Sequence, residues 1–149
     1  MKTTVKKATI EDLDELGDLF NQYRVFYKKS SDVEAAKNFL KQRMDKGESE
    51  IFVTVDEQGR MTAFTQLYPL FSSTRLKRFW LLNDLFVHPE YRRKGYSVLL
   101  IEKAKDLCRS TEACGMMLET GKDNLEGNHL YPKTGFKLNE EQNFYSWDV

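Results

Sequence analysis

Apolar residues recur along this chain with two periods, and the change from one to the other marks out strands and helices. Thr3 to Thr9 alternates enough to predict a short strand. Thr9-Ile10-Glu11-Asp12 then opens a helix, with Thr9 as N-cap and acidic residues in its first turn. The apolar stripe of that helix runs Leu13, Leu16, Leu19, Phe20 and Tyr23, extending to Phe26 and Tyr27. Ser31 or Asp32 caps a second helix with Ala35, Ala36, Phe39, Leu40 and Met44 inward, and Gly47 ends it. Glu50 to Val55 reads as a strand, Asp56-Glu57-Gln58-Gly59 as a hairpin turn, and Arg60 to Tyr68 as the returning strand, stopped by Pro69. Leu70 to Arg75 reads as a loop. Arg78 to Val87 is long and mostly apolar, which predicts a central strand. After it come a helix from about Gly95 to Ser110, a buried strand over Gly115 to Thr120 and a short helix from Asn124 to Lys133, followed by Gly135. Two final strands start at Phe136 and cover Phe144 to Trp147.

This order predicts a mixed α/β fold with a largely antiparallel sheet. The strand ending at Val87 and the one at Met116 flank a helix, so they are expected as parallel neighbours joined by a right-handed crossover. The sequence shows no repeat, linker or low-complexity segment, and 149 residues predict one domain over 1–149 with one core.

Composition narrows the function classes. Ten Phe, seven Tyr and two Trp favour a packed, strand-containing chain over a disordered one. Equal numbers of basic and acidic residues, 23 each, leave no global field to draw nucleic acid or an anionic membrane. No stretch nears the roughly 18 apolar residues that a membrane span needs. Met1 to Lys7 lacks the apolar core of a signal peptide, so a cytoplasmic protein is expected. Cys108 and Cys114 follow no metal-ligand spacing, and His88 and His129 lie far from them. Both cysteines read as reduced packing residues, and no metal is expected.

The candidate chemistry starts where the apolar run Leu81 to Val87 stops at His88-Pro89. A short basic segment with one glycine, Arg92-Arg93-Lys94-Gly95, leads into the next helix. Backbone N–H groups at a helix start have no intrahelical partner, and the macrodipole makes that end positive. A strand, a basic glycine turn and a helix together form a ready site for a phosphate. The turn fits neither a Walker loop nor the Gly-x-Gly-x-x-Gly dinucleotide pattern. A solvated Arg-Arg-Lys run before a surface helix is the competing reading. A second segment, Asn124 to Phe136, carries Tyr131 on a helix; packing there competes with reactivity.

The two segments together resemble the GNAT superfamily of acetyl-CoA-dependent N-acetyltransferases. The family pattern Arg/Gln-x-x-Gly-x-Gly/Ala stands here as Arg92-Arg93-Lys94-Gly95-Tyr96-Ser97. The family's Asn, followed seven residues on by Tyr and then by Gly-Phe, stands as Asn124, Tyr131, Gly135 and Phe136. The likeness runs over nearly the whole chain. More narrowly, Gln66-Leu67-Tyr68-Pro69, Ser72-Ser73, Leu82 to Val87 and Leu118-Glu119-Thr120 look like the yeast Hpa2-like branch, with the polyamine acetyltransferases a more distant likeness.

The resemblance implies an N-acetyltransferase in which acetyl-CoA is the co-substrate and a small amine the acceptor. The CoA pyrophosphate would sit on backbone N–H groups from about Arg93 to Val98, through Lys94, Gly95, Tyr96 and Ser97, with Arg92 nearby. Pantetheine would pair like an extra strand with the end of Leu85-Phe86-Val87. Tyr131 would protonate the leaving thiolate, and Asn124 would bind the pantetheine arm or order its loop. Ser97 replaces the family's usual Gly or Ala. Asn83 stands where the polyamine branch tends to have a glutamate that takes the amine proton. The base is therefore open between Asp84, Glu119 and a water chain, and a structural role for Asp84 competes. In a regular strand Asp84 would face away from Asn83. The acceptor is expected between the first two helices and the last hairpin, near Tyr23, Phe26, Tyr27, Glu34, Glu140 and Glu141. A protein lysine acceptor and a non-catalytic acyl-CoA-binding module are the alternatives, and a nucleic-acid binder is disfavoured by the zero net charge. The exposed final strand leads to an expected homodimer.

Overall fold

The computed structural model describes residues 2–149. The chain divides into two compact units, one ending at Leu118 and the other starting at Glu119. In the first unit the order is β1 (Thr4–Lys7), α1 (Leu13–Phe26), α2 (Val33–Asp45), β2 (Glu50–Val55), β3 (Met61–Ser72), β4 (Lys77–Val87), α3 (Tyr96–Ser110) and β5 (Met116–Met117). The second unit holds α4 (Leu125–Lys133).

The five strands form one sheet in sequence order, β1-β2-β3-β4-β5. The first three pairings are antiparallel, and β4 pairs with β5 in parallel, with α3 as the crossover that a parallel pair needs. The fold is the mixed α/β, largely antiparallel one that the pattern predicts. The β4–β5 ladder joins only Trp80 to Met116 and Leu81 to Met117. It stops well before the C-terminal end of β4.

Helices cover both faces of the sheet. Leu16, Leu19 and Phe20 of α1 and Ala36 and Leu40 of α2 share a buried cluster with Ile51, Val53, Phe64 and Phe86. Leu100, Ile101 and Ala104 of α3 are also fully buried. The other face is the α3 side, where Trp80 Nε1 donates to Thr111 Oγ1 at 2.9 Å, just past the end of α3. Local signals place the helix starts. The Asp12 carboxylate accepts from the Thr9 backbone N–H at 2.8 Å, though Ile10–Asp12 is a 3-10 turn before α1 proper. Asp32 is the N-cap of α2, accepting from Ala35 N–H at 3.0 Å. Ser31 instead accepts from the Asn21 amide at 3.0 Å.

One irregularity in the sheet decides which way the end of β4 faces. Gln66 pairs with Asp84 while the next residue, Leu67, pairs with Leu82, so Asn83 is an extra residue in β4. The bulge switches which side chains face which layer. Before it, Trp80 turns to the α3 side; after it, Phe86 turns to α1, where its ring meets Tyr23 and Phe26. Phe64 pairs with Phe86 and Gln66 with Asp84, so Asp84 shares the α1 and α2 face.

Several expected boundaries move. Pro69 does not stop β3, which continues to Ser72 with Pro69 opposite Trp80. The segment read as a loop from Leu70 is therefore strand as far as Ser72. Ala35 points outward rather than inward, and Phe39 is partly exposed. The strand expected over Gly115–Thr120 is only Met116–Met117, and it is not buried. No strand forms over 136–149, and Phe144, Tyr145 and Trp147 there are exposed. The final edge strand, from which a homodimer is expected, is thus not formed. Cys108 and Cys114 are both free. No described helix is long and apolar enough to cross a membrane.

Candidate active site

The basic turn sits directly after β4. His88 opens it, its Nδ1 accepting from the Glu90 N–H at 3.1 Å over a 3-10 turn, Pro89–Tyr91. Arg93 has φ +63° and Gly95 φ +81°, so the chain turns twice through left-handed conformations. For Arg93 that region is uncommon, as it is for any residue with a Cβ. Gly95 is the N-cap of α3, and no side chain caps the helix. The Leu99 N–H donates to Gly95 O at 3.2 Å, which leaves the Tyr96, Ser97 and Val98 amides as the open end of the helix. A Cβ built on Gly95 would meet nothing within 4 Å, so the glycine serves the backbone angle and faces open space.

The basic side chains around the turn behave differently from one another. Arg92 folds back over the strand. Its guanidinium lies 5.1 Å from the Phe26 ring and 5.6 Å from the Phe86 ring, and its Nε donates to Val87 O at 3.1 Å. Lys94 rests on Tyr91 at 5.3 Å. Arg93 and Ser97 remain on the open side, exposed and half-buried respectively. Leu85 and Val87 are half-buried at the end of β4, and Phe86 is buried.

The bulge gathers a polar group on the α1 and α2 face. Asp84 is 5% exposed, yet both carboxylate oxygens have donors: Gln66 Nε2 at 2.8 Å and Asn83 Nδ2 at 3.2 Å. Neighbouring side chains on a regular strand point apart, so the Asn83–Asp84 bond corrects the expectation that they face opposite ways. Thr65 Oγ1 ties down the backbone by donating to Asp84 O at 2.8 Å. Tyr68 lies two residues beyond Gln66 on the same face. Burial, followed by the negative charge of Asp84, pushes its phenol up to about 12. An open pocket lies beside it, lined by Phe39, Arg43, Gly47, Glu48, Tyr68 and Pro69. Tyr23, Phe26 and Tyr27 form an aromatic group with Phe86; Phe26 and Tyr27 are half exposed. Glu34 is an exposed first-turn residue of α2.

In the second unit Asn124 caps α4. Its Oδ1 accepts from Gly127 N–H at 3.1 Å and its Nδ2 donates to Thr120 Oγ1 at 2.9 Å, so the side-chain amide orders its own loop. Tyr131, seven residues on, is half-buried with its ring 5.7 Å from Phe136. Gly127 lies between them: a Cβ there would come within 2.5 Å of Asn124 Nδ2 and 3.2 Å of Tyr131 Cε2. Glu119, Glu140 and Glu141 are exposed and belong to this unit. Among the described residues no three His, Cys, Asp or Glu side chains gather as a metal site.

The sequence reading gave no role to Gln66 and Tyr68. A signal existed in the form of polar residues inside an apolar strand, but their partner was unknown until the register was known.

Comparison with known proteins fits this arrangement. The model of the acetyltransferase (GNAT) family matches residues 13–136 and so spans both units. The chain is 41% identical over 133 residues to the uncharacterized N-acetyltransferase YhfO of Bacillus subtilis, covering 89% of each. It is 32% identical over 139 residues to a probable acetyltransferase of Haemophilus influenzae, covering 93% of each. Among solved structures, a probable acetyltransferase superposes with TM-score 0.94 at 39% identity, covering 98% of this chain and 97% of that one. A strand, an uncapped basic helix start and a matching family model over most of the length lead to one conclusion: the chain belongs to the acetyltransferase (GNAT) family and is an acetyl-transferring enzyme.

Proposed function

We propose that the chain, acting as one catalytic domain over 1–149, moves the acetyl group of acetyl-CoA to the primary amine of a small molecule, a polyamine or an amino acid. The observation that carries this reading is the open, uncapped start of α3 directly after β4. The pyrophosphate lies on the amides of Tyr96, Ser97 and Val98, with Arg93 and Lys94 supplying charge and Gly95 the close approach. Pantetheine runs along the end of β4 at Leu85–Val87, past the point where the β5 ladder stops.

The amine nitrogen attacks the thioester carbonyl carbon, and backbone N–H groups hold the oxyanion. Asp84 takes the amine proton, directly or through one water, and the C–S bond then breaks. Tyr131 gives its phenolic proton to the departing thiolate and regains one from solvent. Asn124 keeps the start of the Tyr131 helix in place. Two features support Asp84 over Glu119 as the base. Asp84 lies on the strand that ends at the basic turn, and it is anchored through both oxygens.

The test is release of free thiol from acetyl-CoA with spermidine, lysine and a histone peptide as acceptors. Turnover with spermidine or lysine is expected. Turnover confined to the peptide would move the acceptor to proteins. Acetyl-CoA binding with no turnover on any amine would defeat the catalytic reading.

A further inference from the structure

Gln66 is fully buried on β3, in a buried run, residues 61–67, otherwise filled by apolar residues and threonines. A carboxylate only accepts hydrogen bonds, so the amide must present its nitrogen to Asp84, and it does so at 2.8 Å. The carbonyl end is thereby turned away from Asp84. Gln66 Oε1 is buried and has no hydrogen-bond partner. Buried polar atoms in folded proteins are nearly always satisfied, so this one calls for a donor from outside the chain. The nearby polar groups do not supply it: Asn83 Nδ2 bonds Asp84 and Thr65 Oγ1 bonds the Asp84 carbonyl, and neither bonds Gln66 Oε1.

We propose that Gln66 is a positioning residue for proton removal. Its Nε2 fixes the Asp84 carboxylate, and its Oε1 seats a water beside that carboxylate. The proposal rests on the reading of Asp84 as the base. Each Asp84 oxygen keeps a lone pair after accepting one amide bond. A water held by Gln66 Oε1 therefore has a route: it takes the proton leaving the attacking nitrogen and passes one of its own to Asp84. The bulge makes this possible, because it places Asn83 and Asp84 on one side and sets Gln66 directly across from Asp84.

The experiment uses the full chain and the amine that turns over fastest. In Gln66→Met the side chain keeps its length but loses donor and acceptor. Its kcat is expected to fall about tenfold, with acetyl-CoA KM unchanged and acetyl-CoA binding by titration calorimetry confirming the fold. In an Asp84→Asn background the same substitution is expected to cost less than about twofold, since two residues acting through one proton path are not additive. Gln66→Glu is the second variant should Gln66→Met not fold. It keeps size and acceptor but sets a second carboxylate against Asp84, and at least about a tenfold loss is expected. Full activity in either variant, or losses that multiply with Asp84→Asn, overturns the proposal. An Asp84→Asn enzyme with wild-type kcat overturns the base assignment instead, and that result is obtained without touching Gln66.

Discussion

The basic turn at 92–98 and the polar group at Gln66, Asn83 and Asp84 flank one stretch of strand, Leu85–Val87, and are built in opposite ways. The turn is open. Its helix amides lack a cap, Arg93 and Lys94 are exposed, and a Cβ at Gly95 would meet nothing. The polar group is closed except at Asn83, which is exposed. Asp84 and Gln66 are almost wholly buried, and Asp84 has a donor for each oxygen. An open cationic end suits a large, charged, freely exchanging ligand, because its desolvation cost is small. A buried carboxylate suits a fixed chemical task, because burial is expensive unless the group is held in one geometry. The proposed function puts binding at the turn and proton transfer in the group, and the contrast supports that division. It can be broken by any substitution whose effect falls on the wrong quantity.

The largest effect is expected at the turn. Gly95→Glu introduces a Cβ at φ +81° and a negative charge where a pyrophosphate is to sit. Like charges placed together cost several kcal/mol, so acetyl-CoA affinity is expected to drop by at least roughly 100-fold. Thermal unfolding of the free protein should change much less. Normal affinity by isothermal titration would show that the phosphate is bound elsewhere and would dissolve the comparison.

Tyr131 tests whether the division holds beyond the first unit. As the proposed proton donor to the leaving thiolate it belongs with the chemistry, although the next segment of chain carries it. Tyr131→Phe keeps the ring against Phe136 and is expected to lower kcat roughly 100-fold, with acetyl-CoA Kd nearly unchanged. A variant that turns over normally removes Tyr131 as the acid. One that loses binding instead places it with the turn.

The turn was legible in the sequence because it is local. A strand end, a basic run, one glycine and a helix pattern lie within a few residues, and helix-start physics does not depend on the rest of the fold. The same holds for the hairpin at Asp56–Gly59, whose Asp56 carboxylate accepts from Gln58 and Arg60 N–H, and for the Asp32 cap. The polar group was not legible, because it depends on register. Gln66 and Asp84 are 18 residues apart, and only the bulge at Asn83 sets them opposite each other. Read as a regular strand, the sequence sends Asp84 to the face away from Asn83. Pro69 misled for a related reason. Proline cannot donate to a ladder, yet one in a strand whose N–H is not needed there does no harm. The final hairpin failed to appear because Phe144 to Trp147 has strand-forming residues but is paired with nothing.

The smallest expected effect concerns the charge inside the closed group. Tyr68 is pushed up to about 12 by burial and by Asp84. The unfolded chain releases a tyrosine proton near pH 10, whereas the folded chain keeps this one until about 12. Between those values the unfolded state binds fewer protons, so stability falls as pH rises. Below pH 10 the contribution is fully present. Tyr68→Phe removes the titration, and its urea midpoint should fall less steeply than wild type from pH 10 to 12. Every other group is common to both proteins and cancels in the difference. Asp84→Asn should recover part of the same flattening, because it removes the charge while leaving the burial. If Tyr68→Phe and wild type lose stability in parallel, the phenol is not held neutral by its surroundings. The polar group would then be less closed than its burial implies, and the contrast with the open turn would shrink to a difference in shape alone.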